Sequence, residues 1–276
     1  MPRAPDLETI SSATNPRVKA LRALERKKAR TETGLFLAEG PRLVQQGLDR
    51  GWRLDTLAVS THSLDRPHIA DLLHTAKTAG ARMFAAPERV MSRLARKDNP
   101  NAVVGVFEQR HPTLESTDLP EQGLWIALYQ VRDPGNLGTI LRTGDCAGIR
   151  GVILLETCCD PYSLEAVRAS MGSIFDVPVY ASDLAAFNAW CNAGGMVRTA
   201  ATMNGSVRHD QAEYGKRGVI VMGNEQSGLP EELEAACETL ARIPMRGGAD
   251  SLNLAQATAL MTYEAWRQSG FTGAQE

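Results

Sequence analysis

Apolar residues in this chain follow two rhythms. From residue 123 onward, short apolar runs (LWIALY, GVILL, DVPVY, MVRTAAT, GVIVMG and LARIPM) alternate with stretches of helical spacing, among them 163–173, 183–193 and a closing helix over about 252–268. Runs without polar alternation mark strands buried on both faces, and their separation by helices predicts a mostly parallel sheet covered on both sides. Before residue 110 the segments LFLAEG, LDTLAVS, ARMFAAP and NAVVGVFE read as strands between helices near 67–79 and 87–95, which predicts a smaller α/β domain. Its first helix is NPRVKALRALERKKARTETG. Val18, Leu21 and Leu24 anchor it, while Lys19, Arg22, Arg26 and Arg30 recur at steps of three and four, predicting one helix with a cationic side that ends at Gly34. Between the two regions, HPTLESTDLPEQG carries prolines and no apolar period. The pattern therefore divides the chain into a domain at 1–110, a linker at 111–122 and a domain at 123–276.

Net charge over the 276 residues is −2, but its distribution is uneven. Residues 1–110 hold 19 Lys and Arg against 12 Asp and Glu, a balance of +7, whereas residues 111–276 hold 11 against 20, a balance of −9. A basic module joined to an acidic one suits nucleic-acid handling, because phosphate contacts supply affinity that does not depend on sequence. Arg17, Lys19, Arg22, Arg26, Lys27, Lys28 and Arg30 form the densest basic run and are the candidate nucleic-acid contacts. The five cysteines include the adjacent pair Cys158 and Cys159 and form neither a disulfide framework nor a zinc spacing, and the five histidines make no metal set. The opening MPRAPDLETI lacks the apolar stretch of a signal peptide, and no run of about 18 apolar residues exists to span a bilayer. A cytoplasmic protein without a membrane partner is expected.

Three strand ends in the second half carry unusual residues. After LWIALY, the turn Asp133-Pro134-Gly135 starts a helix with Asn136 in its positive first turn. Arg142 lies six residues on, a rise of about 9 Å that a long side chain leaning toward the helix start can recover. After GVIVM comes GNEQSGLP, whose Gly223 and Gly228 have the spacing of a phosphate loop. No Lys-Ser or Lys-Thr follows, however, and Glu225 would repel a polyphosphate. After LARIPM, the Gly247-Gly248 loop leads to a helix that Asp250 or Ser251 can cap, with polar Asn253 at its apolar beginning. Each residue alone has a structural reading: Asn136 as a cap and Arg142 as a surface cation, Glu225 as a cap or the partner of an arginine, Asn253 as a loop brace.

Taken in order, DPGNLGTILRT at 133–143, VMGNEQSGL at 221–229 and IPMRGGADSLN at 243–253 closely resemble the motifs of the SpoU/TrmH family of RNA ribose 2′-O-methyltransferases, of the SPOUT class. The likeness spans about 124–268, and NPRVKALRAL and LFLAEGPRLV resemble that group's N-terminal substrate-binding domain. The resemblance implies a trefoil-knotted parallel sheet with helices on both faces, preceded by a smaller α/β substrate-binding domain. It also implies S-adenosylmethionine as cofactor and a homodimer formed through the knotted domain. A sulfonium donor bears no phosphate, which accounts for the loop at 223–230. By motif position, Asn136, Arg142, Glu225, Ser251 and Asn253 form the catalytic set, and Gly223, Ile243, Met245 and Leu252 hold the cofactor. A guanidinium keeps its proton far above neutral pH, so Arg142 is expected to clamp an RNA phosphate and steady the developing alkoxide rather than accept a proton, while Glu225, Ser251 and Asn253 orient Arg142 and the ribose. Departures from the family are modest: Asp133 stands where Asn is frequent, Gly144 where Ala is common, and Gln256 and Thr258 make the last helix start more polar. The resemblance favours ribosomal RNA over transfer RNA, with no role for DNA. A base-methylating relative of the same class and an inactive RNA-binding scaffold are the alternatives.

Overall fold

The computed structural model describes residues 7–95, 101–117 and 121–274; residues 118–120 of the expected linker and 1–6, 96–100 and 275–276 lie outside them. The first nine elements are α1 (Pro16–Ala23), α2 (Lys27–Thr33), β1 (Leu35–Glu39), α3 (Pro41–Asp49), β2 (Leu54–Ser60), α4 (Pro67–Thr78), β3 (Arg82–Ala86), α5 (Glu88–Ala95) and β4 (Val103–Glu108). There follow β5 (Gly123–Tyr129), α6 (Pro134–Cys146), β6 (Gly151–Leu155), α7 (Leu164–Ala169), β7 (Val179–Ser182), α8 (Leu184–Gly194) and β8 (Val197–Ala201). The chain closes with β9 (Val207–Arg208), β10 (Arg217–Met222), α9 (Glu231–Ala235), β11 (Thr239–Arg242) and α10 (Leu254–Gln268). It divides into two compact units: Met1–Arg110 with Tyr162–Phe175, and His111–Pro161 with Asp176–Glu276.

The first unit holds a four-stranded sheet in the order β1-β4-β2-β3, antiparallel except for the parallel β2–β3 pair. The predicted single basic helix is two helices, with Arg26 extended at φ −92°, ψ 133° between them. Arg30 explains how the break is tolerated. The residue is 3% exposed, and its guanidinium donates through Nη1 to the carbonyl oxygens of Leu24 at 2.7 Å and Glu25 at 2.8 Å, two of the acceptors that the interruption leaves without helical partners. Arg30 is therefore a structural residue, and the expectation of an RNA contact there is corrected. Arg17 is engaged by Glu8 at 2.6 Å and Lys28 by Glu32 at 3.8 Å, while Lys19, Arg26 and Lys27 are exposed and Arg22 is half-buried.

Tyr162–Phe175, read from the sequence as part of the second domain, belongs to this first unit and interrupts the contiguous division expected. Phe175 packs on Phe107 and Trp52 with ring centroids 4.9 and 5.2 Å apart, and its carbonyl accepts from Trp52 Nε1 at 3.0 Å. Arg168 of α7 meets the buried Glu39 carboxylate at 2.7 Å. The helix expected over 163–173 stops at Ala169 because Met171 and Gly172 take positive φ, 52° and 112°.

In the second unit seven strands pair in parallel in the order β7-β6-β5-β10-β8-β11-β9. Trp125, Ala127, Ile153, Leu155, Val219 and Val221 point to one face and join Phe187, Trp190 and Cys191 of α8 in a buried cluster. The alternate positions Ile126, Leu128, Val152, Ile220 and Met222 are equally buried on the other face. Both faces are thus covered, which is why these strands read as unbroken apolar runs. Burying each large side chain contributes about 1.5–3 kcal/mol. Thr258 is fully buried in α10 and satisfies its hydroxyl by donating to Leu254 O at 2.7 Å, so that departure from apolar usage leaves no orphaned group. At Gly144 a Cβ would lie 2.2 Å from Ile149 Cδ1, so here an isoleucine fills the room that an alanine methyl would take.

Candidate active site

The site lies at the carboxyl ends of β5, β10 and β11. α6 begins there because Asp133 caps it, accepting from Asn136 N at 2.6 Å, and Pro134 occupies the first turn, where a missing N–H costs nothing. Asn136 follows one turn in. Its Nδ2 donates to Glu225 Oε1 at 3.3 Å, and its Oδ1 accepts from Asn253 Nδ2 at 2.9 Å. One half-buried amide therefore joins the segments after β5, β10 and β11, which are 89 and 117 residues from it in sequence. The two bonds also fix the orientation of the amide.

Asn253 differs from its expected setting. It is exposed rather than buried, and it is itself the N-cap of α10, accepting from Ala255 N at 2.9 Å and Gln256 N at 3.3 Å. The helix starts at Leu254, so neither Asp250 nor Ser251 caps it. Glu225 neither caps α9 nor makes an ion pair with a described residue; its hydrogen bond is with Asn136. Arg142 and Ser251 are exposed and make no hydrogen bond with a described residue, so the structure joins three of the five expected catalytic residues by direct contact.

The loop after β10 is held by a residue that sequence reasoning passed over. Asn224 is buried; its Oδ1 accepts from Gln226 N and Ser227 N at 2.9 and 3.2 Å, and its Nδ2 donates to Gln130 O at 2.8 Å. An asparagine heading a polar turn signals that self-capping geometry, and the signal was legible in NEQS. Asp133 was likewise readable as a cap before Pro134. Gly223 is required by the loop's own closure, since a Cβ would lie 2.4 Å from the Gly228 carbonyl carbon.

The segments expected to hold S-adenosylmethionine present apolar surface and unpaired backbone groups. Met245 and Leu252 stand 44% and 37% exposed, apolar surface that a ligand can cover, while Ile243 is half-buried. Pro244–Leu252 makes no hydrogen bond with another described residue, which leaves its backbone groups available. Cys158 and Cys159 lie beside the carboxyl end of β5, where Cys158 Sγ donates to Leu128 O and Cys159 N to Val131 O. Burial raises the Cys158 thiol, and it raises Cys159 to about 12 together with the neighbouring Cys158 and Glu225 charges, so neither is a nucleophile at neutral pH.

Residues 123–263 match the SpoU rRNA Methylase family and residues 15–105 the MRM3-like substrate binding domain. A 23S rRNA (uridine(2479)-2′-O)-methyltransferase from Streptomyces viridochromogenes is 30% identical over 273 residues, covering 96% of this chain and 94% of its own. A 23S rRNA (guanosine(2553)-2′-O)-methyltransferase from Bacillus subtilis is 28% identical over 262 residues, covering 93% and 98%. The crystal structure of an AdoMet-bound rRNA methyltransferase from Sinorhizobium meliloti matches with a TM-score of 0.89 and 45% identity over 95% of this chain and 98% of that one.

Proposed function

Because the chain belongs to the SpoU rRNA methylase family, we propose that it is an S-adenosylmethionine-dependent methyltransferase acting on a ribose 2′-hydroxyl of structured RNA, ribosomal before transfer RNA. The observation that carries this reading is the Glu225–Asn136–Asn253 relay, in which residues from three strand ends converge on one amide. Bound by these loops, S-adenosylmethionine supplies an electrophilic methyl group on a sulfonium. Gly223, Ile243, Met245 and Leu252 are the residues that would hold it. The protein's own task is to aim a ribose oxygen in line and accommodate the charge that develops there. Asn136, its orientation fixed at both ends, and Glu225, whose second oxygen is free of the relay, orient the hydroxyl; Ser251 lies in the adjoining loop. Arg142, exposed and uncommitted, holds the neighbouring phosphate and steadies the alkoxide.

The same reading includes a homodimer through the second unit. Leu260 and Tyr263 stand exposed one turn apart on α10, with Phe271 just beyond it, apolar area that a second copy would cover. Among the described residues no helix is long and apolar enough to cross a membrane, and work on RNA suits the cytoplasm.

The deciding experiment incubates the protein with methyl-labelled S-adenosylmethionine and 23S RNA transcribed in vitro, then hydrolyses the RNA with alkali. A 2′-O-methyl group blocks cleavage at its own nucleotide, so label in an alkali-stable dinucleotide is expected. Label in mononucleotides indicates a base-methylating enzyme, and no incorporation indicates an inactive scaffold.

A further inference from the structure

The acidic half of the chain has eleven lysines and arginines, few enough to account for individually. Arg168 belongs to the first unit, where Glu39 holds it. Arg198, Arg208 and Arg267 pair with Glu238, Asp210 and Glu264, and Arg217 and Arg242 donate to the carbonyls of Gly194 and Gly205. The other five, Arg132, Arg142, Arg150, Lys216 and Arg246, are exposed and make no hydrogen bond or ion pair with a described residue.

Their positions are not scattered. Arg150 and Lys216 immediately precede β6 and β10, at the amino ends of a parallel sheet. Arg132, Arg142 and Arg246 belong to the segments that leave the carboxyl ends, where the relay sits. Arg132 stands between buried Val131 and Asp133, the cap of α6, so its backbone is fixed while its side chain is free. Arg246 rides on the loop whose ends are tied by Arg242 to Gly205 O at 2.6 Å and by Asn253 to Asn136 at 2.9 Å. Unpaired guanidinium groups on a unit whose balance is −9 mark where an anion is received. A ribose inside an RNA chain brings a phosphate on each side.

We infer that Arg132 and Arg246 grip RNA phosphates around the target nucleotide in addition to the one that Arg142 holds, so that the catalytic unit positions RNA independently of the basic first unit. This rests on the proposed ribose methylation. The test compares the double variant Arg132→Gln/Arg246→Gln with the control Arg150→Gln/Lys216→Gln, using transcribed 23S RNA. Equilibrium binding across a salt series should lose about 0.7–0.9 of log–log slope per arginine in the first and none in the control. KM for RNA should rise about tenfold, more than kcat falls. The charge-keeping double variant Arg132→Lys/Arg246→Lys should recover the slope. Equal slopes and KM values in the first variant and the control overturn the inference, as does a lysine variant as impaired as the glutamine one. Failure of wild-type protein to methylate the RNA would strike the underlying reading instead, which separates the two.

Discussion

Replacing Asn253 by aspartate or by alanine separates its two tasks. The side chain caps α10 through Oδ1 and donates through Nδ2 to Asn136 Oδ1 at 2.9 Å. Aspartate is as good a cap, and its charge at the helix start adds about 0.3–1 kcal/mol, so the melting temperature should stay within about 2 °C of wild type. Alanine removes the cap at a cost of about 1 kcal/mol, roughly 2–4 °C for a domain of this size. Activity should rank the other way. In Asn253→Asp an acceptor faces the Asn136 carbonyl oxygen, and flipping that amide only turns its oxygen toward Glu225. At this exposed site water replaces the lost partner in the unbound protein, so the cost falls on holding Asn136 in its productive orientation against the mismatched acceptor in the reacting complex, about 2 kcal/mol or roughly thirtyfold in single-turnover methyl transfer. Asn253→Ala leaves Asn136 free to bind water and should lose less, roughly tenfold. The expected result is a crossing, with aspartate the more stable variant and alanine the more active. Rates that simply track stability, or wild-type activity in Asn253→Asp, would refute a role for the relay.

Arg30→Met should lower the first unit's stability by about 2–3 kcal/mol while leaving the salt dependence of RNA binding intact below the transition, because its guanidinium serves carbonyls rather than phosphates. Arg26→Gln with Lys27→Gln should do the reverse, and exchanged outcomes would contradict the buried assignment. Glu238 is pushed up by burial, but hydrogen bonds from Arg198 outweigh this and leave it below its ordinary 4.5. Its contribution is therefore present above pH 4.5 and lost as pH falls through the lower folded value. Glu238→Gln should flatten the melting temperature between about pH 5 and 3; an unchanged acid limb would argue against it. Brief native alkylation at pH 8 should label exposed Cys146 alone, since burial raises Cys158 and pushes Cys159, Cys191 and Cys237 to about 12. A mass spectrum with several native adducts would contradict that burial.

The strands were legible because burial on both faces leaves apolar runs with few alternative readings: GVILL became β6 residue for residue. What the pattern could not carry was direction of reach. The cations from Lys19 to Arg30 keep helical spacing straight through the break before α2, so periodicity cannot show that the last one turns back to fill it. Nor do apolar residues state which core they enter, and Tyr162, Ile174 and Phe175 suit either unit by composition. At the site, the residue types were readable and one of their partners was not. An asparagine inside an apolar helix start looks buried, yet here the helix begins one residue later and the asparagine becomes its cap.

Glu225 shows why the relay and the free arginines belong to one arrangement. A carboxylate in such a loop invites a cationic partner, and an arginine was one of the two structural readings of Glu225. The structure instead gives Glu225 an amide from Asn136, in the first turn of α6, which Asn253 at the start of α10 braces from the other side. The starts of α6 and α10 are thereby linked through Asn136, whose amide is the group that meets the carboxylate. With an amide as the partner of Glu225, Arg142 is left unpaired, and among the described residues Arg132, Arg142 and Arg246 make no hydrogen bond or ion pair.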